Sequence, residues 1–368
     1  MKRILHFVTS MDYGGVETLL MSIYRNIDRE KIQFDFLCHN SCDNFFSKEI
    51  EELGGKMYAI PYASKVGYFG YLKGLYEFFK DHPEYKIIHS HINCENGNAL
   101  SMAKKAGIPV RIAHSHVGNA KEDNWKIDIY KRLIRLKIPF CVTHCFACSK
   151  AAAKYLFKTP KNRNKCKIIN NAINTNRFMF SKSARDKIRK EYGLEGKFVI
   201  GNIGRFSYEK NQIFSIKLFE EYSKCNPNAV LIFLGAGEDM KKHKEYVKAK
   251  GLEDKVLFLG SHNNVPDFLS AMDVFLFPSL FEGLGIVAIE AQASGLPVLA
   301  SDMIPGETNL TNLINYYPLD TFIPWLEALK NFENKDYVNR EQYAKKVKDM
   351  DYDIESTAKY LENFYLSL

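Results

Sequence analysis

Short apolar runs rich in Val, Ile, Leu and Phe alternate with longer segments of helical periodicity, and the whole alternation occurs twice along the chain. Apolar strands that are separated by helices are typical of parallel sheets covered on both faces. Strands are predicted at 3–10, 33–38, 86–91, 110–116, 145–149 and 167–170, and again at 198–204, 229–235, 256–260, 274–279 and 297–301. The pattern therefore predicts an α/β protein with two doubly wound units.

The 368 residues, of which 46% are hydrophobic, suffice for two ordinary domain cores. We predict Rossmann-like domains at 1–178 and 197–335, joined by a charged, weakly apolar linker at 179–196 that holds a short helix. A helical segment at 336–368 is a candidate to cross back to the first domain. Two such domains joined by one linker predict a cleft, and ligands commonly bind in such clefts.

The net charge of +8 is unevenly distributed. Residues 1–180 contain 28 Lys and Arg against 16 Asp and Glu, whereas the remainder contains 23 against 27. A basic first half suggests an anionic partner, either a phosphorylated ligand, nucleic acid or an anionic membrane surface. A generally lysine-rich composition is an equally simple explanation. Nucleic acid is the weakest of the three partners, because no base-stacking or helix-turn-helix signature accompanies the charge.

Cysteine usage and hydropathy bear on the compartment. Seven of the eight cysteines lie in the first half, mostly inside apolar runs, as expected for reduced, buried thiols. The stretch "MKRILHFVTS" resembles a signal peptide only in its two basic residues, and a first strand explains it better. No apolar run reaches about 18 residues. We therefore expect a cytoplasmic protein.

A glycine pair, Gly14 and Gly15, follows the first predicted strand and opens the first helix. Glycines there allow a ligand to approach the backbone, and the helix N-terminus offers free N–H groups to an anion. A tight turn is the simpler alternative. The dinucleotide fingerprint G-x-G-x-x-G is absent, which counts against a nicotinamide-binding domain.

The stretch "GRFSYEKN" (204–211) follows the first strand of the second unit and places Arg205 and Lys210 at its carboxyl end. Doubly wound sheets bind ligands at this edge. A guanidinium fork and a compact ammonium group both suit adjacent phosphate oxygens. A solvated basic turn is the alternative.

The stretch "LFEGLGIVAIEAQAS" (280–294) combines a glycine loop with the start of a helix. Gly283 and Gly285 allow backbone N–H groups to face a ligand. Glu282 lies in the loop and Glu290 about one turn into the helix, so that both can face the same side. Carboxylates accept hydrogen bonds from sugar hydroxyls. A carboxylate in so apolar a helix requires a partner, although an ordinary exposed glutamate remains the alternative.

These motifs, taken together, resemble the family 4 retaining glycosyltransferases, which have the two-domain GT-B architecture. The paired glutamates in "FEGLGIVAIEAQASGLPV" are the most specific element, and "GRFSYEKN", "GGVE" and "CSKAAAKYLF…KIINNAIN" match further family segments. Bacterial capsule and exopolysaccharide enzymes are the most similar in style. Where the family usually has Asn-Gly-Val/Ile-Asp, this chain has "NAIN" (171–174), which leaves any role of that turn open.

The resemblance implies a metal-independent transfer of a sugar from a nucleotide diphosphate sugar, UDP-linked, to a glycan or lipid-linked glycan hydroxyl. It implies no cofactor. It assigns Arg205 and Lys210 to the departing diphosphate, Glu290 to the ribose, Glu282 to the transferred sugar, and Gly15, with Gly14 beside it, to the diphosphate from the other domain. Backbone N–H groups of the donor pocket would come from Gly283, Leu284 and Gly285.

Two histidine pairs, His89 with His91 and His114 with His116, each end a predicted strand. In the family a histidine after the fourth strand lies beside the reacting sugar. His116 matches that position best, with His114 as the alternative and His91 on the same acceptor and sugar side. Four histidines at one site would also suit a metal. Few carboxylates accompany them, so we predict no metal.

Three other functions remain open from the sequence. The spacing of Cys141, Cys145 and Cys148 matches the iron–sulfur ligands of radical S-adenosylmethionine enzymes, but these cysteines overlap an apolar, strand-like run. A sugar-nucleotide epimerase has a similar architecture, and the spacing of the two glutamates argues against it. A glycan-binding scaffold on a degenerate transferase fold is disfavoured because Arg205 and Lys210 are intact.

The segment "NWKIDIYKRLIRLKIPF" (124–140) has the pattern of a basic amphipathic helix. Its apolar stripe could pack against the sheet with the lysines in water. Alternatively it could attach the protein peripherally to the inner, anionic face of the membrane, where a lipid-linked acceptor would lie.

Overall fold

The computed structural model describes residues 1–12, 14–39, 41–116, 125–333 and 339–368. The chain divides into two compact units. The first unit contains 1–172 together with 354–368, and the second contains 173–353. The boundary thus lies six residues before the predicted position, and the last helix belongs to the first unit.

The first unit contains a seven-stranded, fully parallel sheet of order β3-β2-β1-β4-β5-β6-β7. Its strands are β1 (Lys2–Phe7), β2 (Ile32–His39), β3 (Met57–Ile60), β4 (Ile87–Ser90), β5 (Val110–Ser115), β6 (His144–Ala147) and β7 (Lys167–Ile168). Continuous burial along β2 and β4 reflects helices on both faces.

The helices of the first unit cover both faces of this sheet. They are α1 (Gly15–Asn26), α2 (Ser47–Glu52), α3 (Ala63–Asp81), α4 (Asn96–Lys105), α5 (Trp125–Arg135), α6 (Ile138–Cys141), α7 (Lys150–Leu156) and α8 (Pro160–Asn164). The Ser149 hydroxyl caps α7 by accepting from the Ala152 N–H at 3.1 Å. One core lies under α1, and the other lies under α3, α4 and α7.

The second unit contains a six-stranded parallel sheet of order β10-β9-β8-β11-β12-β13. Its strands are β8 (Phe198–Ile203), β9 (Ala229–Leu234), β10 (Val256–Gly260), β11 (Val274–Phe277), β12 (Val298–Ser301) and β13 (Ile314–Tyr317). Its helices are α9 (Lys182–Glu191), α10 (Gln212–Tyr222), α11 (Met240–Ala249), α12 (Val265–Ala271), α13 (Ile286–Ala293), α14 (Ile323–Phe332) and α15 (Gln342–Asp349). Helix α16 (Ile354–Ser367) follows and packs on α1 and β2 of the first unit.

In both sheets the strand order reverses beside the first strand, between β1 and β4 and between β8 and β11. Ligands of open α/β sheets bind outside the carboxyl ends of the strands at such switch points. The two units thus have the doubly wound, Rossmann-like topology that the sequence predicts.

The segment 179–196, predicted as a linker, is part of the second unit. Its helix α9 packs on α12, and the Asp273 carboxylate accepts from Arg185 and Arg189 of α9, each at 2.6 Å. Asp273 also accepts from the Val199 N–H at 2.7 Å. A nearly buried carboxylate with three charged or backbone donors anchors this helix firmly.

Within the described ranges, none of the helices combines the length and apolar character that crossing a membrane requires.

Candidate active site

The loop after β8 holds the predicted basic pair, and the structure gives its two members different environments. Lys210 Nζ lies 2.5 Å from Glu282 Oε1, and the Ser279 hydroxyl donates to the same oxygen at 2.8 Å. Arg205 is mostly exposed and pairs with Glu238 at 3.1 Å. Lys210 and Glu282 therefore form a tight, half-buried ion pair at the carboxyl edge of the sheet. Arg205, in the same loop as Lys210, extends into solvent.

The glycine loop between β11 and α13 requires glycine at one position for a steric reason. Gly285 has φ of +75°, and a Cβ there would lie 2.8 Å from a ring carbon of Phe277. Gly285 is the N-cap of α13, and no side chain caps this terminus. Leu284 is buried, and its carbonyl accepts from the Thr308 hydroxyl at 2.6 Å. The loop thus fixes a helix N-terminus whose first N–H groups have no side-chain cap, as anion sites require.

Glu290, one turn into α13, has a perturbed acidity. Burial raises the pKa of its carboxyl from 4.5 to about 8, and the positive charge of Arg177 opposes this shift. The residue as a whole is half-buried. A carboxyl that is largely protonated near neutral pH can both donate and accept hydrogen bonds, which suits vicinal hydroxyls.

Sequence reasoning missed three side chains in this region. Ser279 fixes the Glu282 carboxylate, Glu238 holds Arg205, and Arg177 biases Glu290. Of these, Ser279 lies three residues before Glu282, and Arg177 lies three residues after the "NAIN" segment. Glu238 and Arg177 depend on tertiary contacts that sequence spacing does not reveal.

In the first unit, Gly14 and Gly15 lie where the sequence predicts, between β1 and α1. A Cβ on Gly15 would meet no atom within 4 Å, whereas one on Gly14 would overlap the Glu17 carboxylate. No side chain caps α1. Gly15 therefore leaves room for a ligand at the backbone, while a side chain at Gly14 would displace only the end of the flexible Glu17 side chain.

The predicted histidines lie together on adjacent strand ends, joined by His6, which the sequence analysis did not select. His6 on β1 is level with His89 on β4. His91 Nε2 lies 3.1 Å from His6 Nδ1, and His91 Nδ1 lies 2.9 Å from His116 Nε2. His89 Nε2 lies 3.2 Å from His114 Nδ1. We call these five residues the histidine cluster.

Burial dominates the electrostatics of the histidine cluster. It lowers the pKa of His6 to about 3 and that of His116 to about 4, with Asn171 opposing the shift at His116. Burial and the neighbouring rings also lower the pKa of His89, His91 and His114 well below the ordinary value. All five rings are therefore neutral at pH 7. Because His116 Nε2 already faces His91, binding a sugar through that nitrogen requires exchange of this partner.

The cysteines of the iron–sulfur alternative lie in the apolar core. Cys141, Cys145 and Cys148 are buried and form no disulfide in the described part of the chain; they lie on α6, on β6 and just after β6. Burial raises the pKa of the Cys145 thiol to about 12. Since metal clusters bind thiolates, this environment opposes the proposed ligation.

Two doubly wound units with a basic loop, a glycine loop and a glutamate-bearing helix define the protein as a GT-B-type glycosyltransferase, as the comparisons with known proteins show. "Glycosyltransferase Family 4" matches residues 13–177, and "Glycosyl transferases group 1" matches residues 184–312. The chain is thus a glycosyltransferase that matches these two family models one after the other along its length.

Similar proteins agree over the whole chain. A protein named as glycosyltransferase EpsF of Bacillus subtilis is 29% identical, over 99% of this chain and 96% of its own length. The capsular polysaccharide biosynthesis glycosyltransferase CapH of Staphylococcus aureus is 24% identical, over 100% and 99%. The crystal structure of Anabaena Alr3699/HepE in complex with UDP has a TM-score of 0.80 at 19% identity, covering 100% of both chains.

The predicted family, fold and enzyme class are thereby confirmed. The epimerase, iron–sulfur and scaffold alternatives are not supported by the family. The roles of the individual site residues stay predictions.

Proposed function

We propose that this chain moves a sugar from a UDP-sugar to a hydroxyl of a glycan or lipid-linked glycan during bacterial surface polysaccharide synthesis, with retention of anomeric configuration. The UDP complex of the similar HepE structure and the name of CapH support the donor and the pathway class. The observation that carries the proposal is the Lys210–Glu282 pair beside the uncapped N-terminus of α13.

The donor diphosphate would bind at this pair. Its oxygens would accept from Lys210, from Arg205 after release from Glu238, and from N–H groups at Gly283, Leu284 and Gly285. Two side-chain cations and a helix N-terminus can stabilise the charge that develops on the leaving diphosphate. A divalent ion is then unnecessary at the diphosphate, and activity should not require added Mg²⁺ or Mn²⁺.

The two glutamates would divide the rest of the donor. Glu282, fixed by Lys210 and Ser279, would accept from hydroxyls of the transferred sugar. Glu290, with its raised pKa, would bind the ribose hydroxyls. Loss of Glu282 should therefore slow transfer, whereas loss of Glu290 should weaken nucleotide binding.

The transfer itself needs no dedicated base. The bond between the anomeric carbon and the β-phosphate oxygen breaks, the acceptor oxygen bonds to the same face of that carbon, and the departing phosphate takes the acceptor proton. His116 would position the sugar and acceptor, and its neutral ring suits hydrogen bonding to hydroxyls.

Calorimetry with UDP, GDP and ADP, followed by a hydrolysis screen over UDP-sugars, tests this proposal directly. We expect UDP to bind more tightly than GDP and ADP, and one UDP-sugar to be hydrolysed without added metal. Anomeric proton couplings in the transfer product, measured by NMR, report retention. Binding of none of the three nucleotides would refute the donor assignment, and an inverted product would refute retention.

We also propose that an exposed apolar and basic surface on the first unit docks on an anionic membrane. The described part of the predicted amphipathic helix, from Trp125 on, buries only Ile134 and Ile138 of its apolar stripe. Large apolar side chains are instead exposed at Trp125, Ile129, Leu133, Leu136 and Phe140, and at Phe69 of the adjoining α3. Lys137 Nζ joins the two helices through the Tyr68 hydroxyl at 2.6 Å.

Charge complementarity favours a membrane as the occupant of this surface. Lys126, Lys131, Arg132 and Arg135 accompany the exposed apolar side chains. Such a mixture binds anionic lipids through both electrostatic attraction and insertion of apolar groups.

Sedimentation with vesicles tests the membrane proposal. We expect binding to phosphatidylglycerol vesicles, little binding to phosphatidylcholine vesicles, and partial loss in high salt. Leu133→Ser with Leu136→Ser should reduce binding. Met303→Ser with Ile323→Ser, at similarly exposed positions in the second unit, serves as the control. Equal binding of both double variants would overturn the assignment of this surface.

A further inference from the structure

The histidine cluster is larger than the proposed transfer requires. One histidine suffices to position a sugar, yet five imidazole rings are packed at the carboxyl ends of β1, β4 and β5. All five lie on one side of the first sheet, and a small cavity lined by His6, His89, His91 and His114 lies between them and α1 and α16. Positioning a sugar does not explain why five imidazole rings are packed together, whereas imidazole is a common metal ligand.

The sequence alone predicts no metal at these histidines; from their arrangement in the structure we propose instead that His91, His114 and His116 bind one late first-row divalent transition ion, with Zn²⁺ or Co²⁺ as the reference ions. One ring nitrogen from each of the three lies within 4.8 Å of the other two. The closest pair, His91 Nδ1 and His116 Nε2, is 2.9 Å apart. Ligand nitrogens at the Zn–N distance of about 2.0–2.1 Å are about 3.3 Å apart in a tetrahedron, so small ring rotations suffice.

All three rings are buried, and metals bind the neutral form of imidazole. Among the residues that the structure describes, His114 Nε2 has no hydrogen-bond partner. Binding the ion through His114 Nε2 would give this buried nitrogen a partner for its lone pair.

The surroundings provide the supporting hydrogen bonds that metal-bound histidines usually have. His114 Nδ1 faces His89 Nε2, and His89 Nδ1 lies 2.6 Å from the Tyr365 hydroxyl. His91 Nε2 faces His6 Nδ1. Two of the three ligand rings, His91 and His114, can thus donate their second N–H to a neighbour, which fixes ring orientation and tautomer.

Three imidazoles leave a fourth position for water, as in open zinc sites. His116, which directly follows β5, is the least buried of the three, with 9% of its surface exposed. The three histidines are neutral ligands, so they leave the full positive charge of a divalent ion buried. Loss of a proton from a water bound to the ion would lower this charge, which favours an ion that makes its bound water acidic. Late transition ions have this property, whereas Mg²⁺ and Ca²⁺ prefer oxygen ligands.

The test uses the full chain after chelation and dialysis, titrated with Co²⁺ in the absence of nucleotide. We expect one Co²⁺ per chain with the visible absorption of a four- or five-coordinate nitrogen site, and one Zn²⁺ per chain by elemental analysis. Because no donor is present, the result is independent of the proposed transferase function. Saturation with no such absorption, or no binding at all, would overturn the proposal.

Variants locate the ion. His91→Gln and His114→Gln should each weaken Co²⁺ binding at least tenfold, and Tyr365→Phe should weaken it less, through His89. His39→Gln, at a buried histidine of the same unit that bonds Tyr71 instead, is the matched control. Near-ultraviolet thiolate absorption would place the ion on cysteines and refute the histidine site. Circular dichroism confirms that each variant is folded, and His116→Gln, at the accessible edge, provides a second ligand test if a buried variant fails to fold.

Discussion

Glu290→Gln should increase stability while weakening nucleotide binding. The wild-type carboxyl has a pKa of about 8 in the folded protein against 4.5 as its ordinary value. The folded state therefore binds this proton more tightly than the unfolded state. The contribution of Glu290 to the free energy of unfolding is therefore fully present below pH 4.5 and is lost as the pH rises towards 8. Glutamine fills the same space without ionising.

The magnitude follows from the two pKa values. At pH 7 the shift corresponds to a cost of about 3 kcal/mol relative to a group with no shift. Because Glu290 retains part of its surface and Arg177 is close, the expected difference between variant and wild type is about 1–2 kcal/mol. It should be near zero at pH 4.5 and should grow as the pH rises to 8.

Tryptophan fluorescence provides the assay, because the chain has only two tryptophans. Trp325 is fully buried in the second unit, whereas Trp125 is exposed in the first. In a Trp125→Phe background, urea unfolding followed by fluorescence reports the second unit alone. A stability difference between Glu290→Gln and wild type that does not change between pH 4.5 and 8 would refute the reasoning, as would UDP binding unaffected by the substitution.

Four further results are expected. Lys210→Met should weaken UDP binding about 10- to 100-fold in calorimetry, since a charge-assisted hydrogen bond contributes about 1.5–3 kcal/mol. Lys224→Met, which breaks the exposed pair with Glu221, is the control and should leave the affinity for UDP unchanged. Glu282→Ala should mainly lower kcat for transfer; unchanged turnover would contradict its role. Gly285→Ala should lower the free energy of unfolding, measured in urea, by about 1–3 kcal/mol, because Gly285 has a positive φ and a Cβ there would contact Phe277. Gly283→Ala is the control and should not lower it, since the space around Gly283 is open. Asp273→Ala should cost about 3–5 kcal/mol in the same assay, because Arg185 and Arg189 lose their partner.

Sequence periodicity predicted most strands of both sheets, but it did not predict two of the strands at the sheet edges. The strands β3 and β13 were missed, and both are short and lie at the edge of a sheet. Edge strands bury less of their surface and so have a weaker apolar signal, as in "INYY" of β13. The short helix predicted within 179–196 is present as α9, but it belongs to the second unit, because its stabilising contacts are ion pairs with Asp273, which leave no apolar periodicity.

The candidate site was predictable to the extent that its chemistry is local. The glycine loop and both glutamates follow from spacing within one segment. The pairing of Lys210 with Glu282 joins residues 72 positions apart, and the register that sets His6 beside His89 joins two strands far apart in sequence. His6 lies within an apolar strand, and only the fold brings it to the other histidines.

The discontinuity of the first unit has a consequence for biosynthesis. Its last helix, α16, leaves the ribosome only after the whole second unit has been made. Until then the apolar faces of α1 and β2 lack their cover, and His89 lacks Tyr365. Nascent chains that end before residue 354 should therefore be a target for chaperones and proteases, although the second unit can already fold. Maturation of the first unit is thus delayed until the second unit has been synthesised.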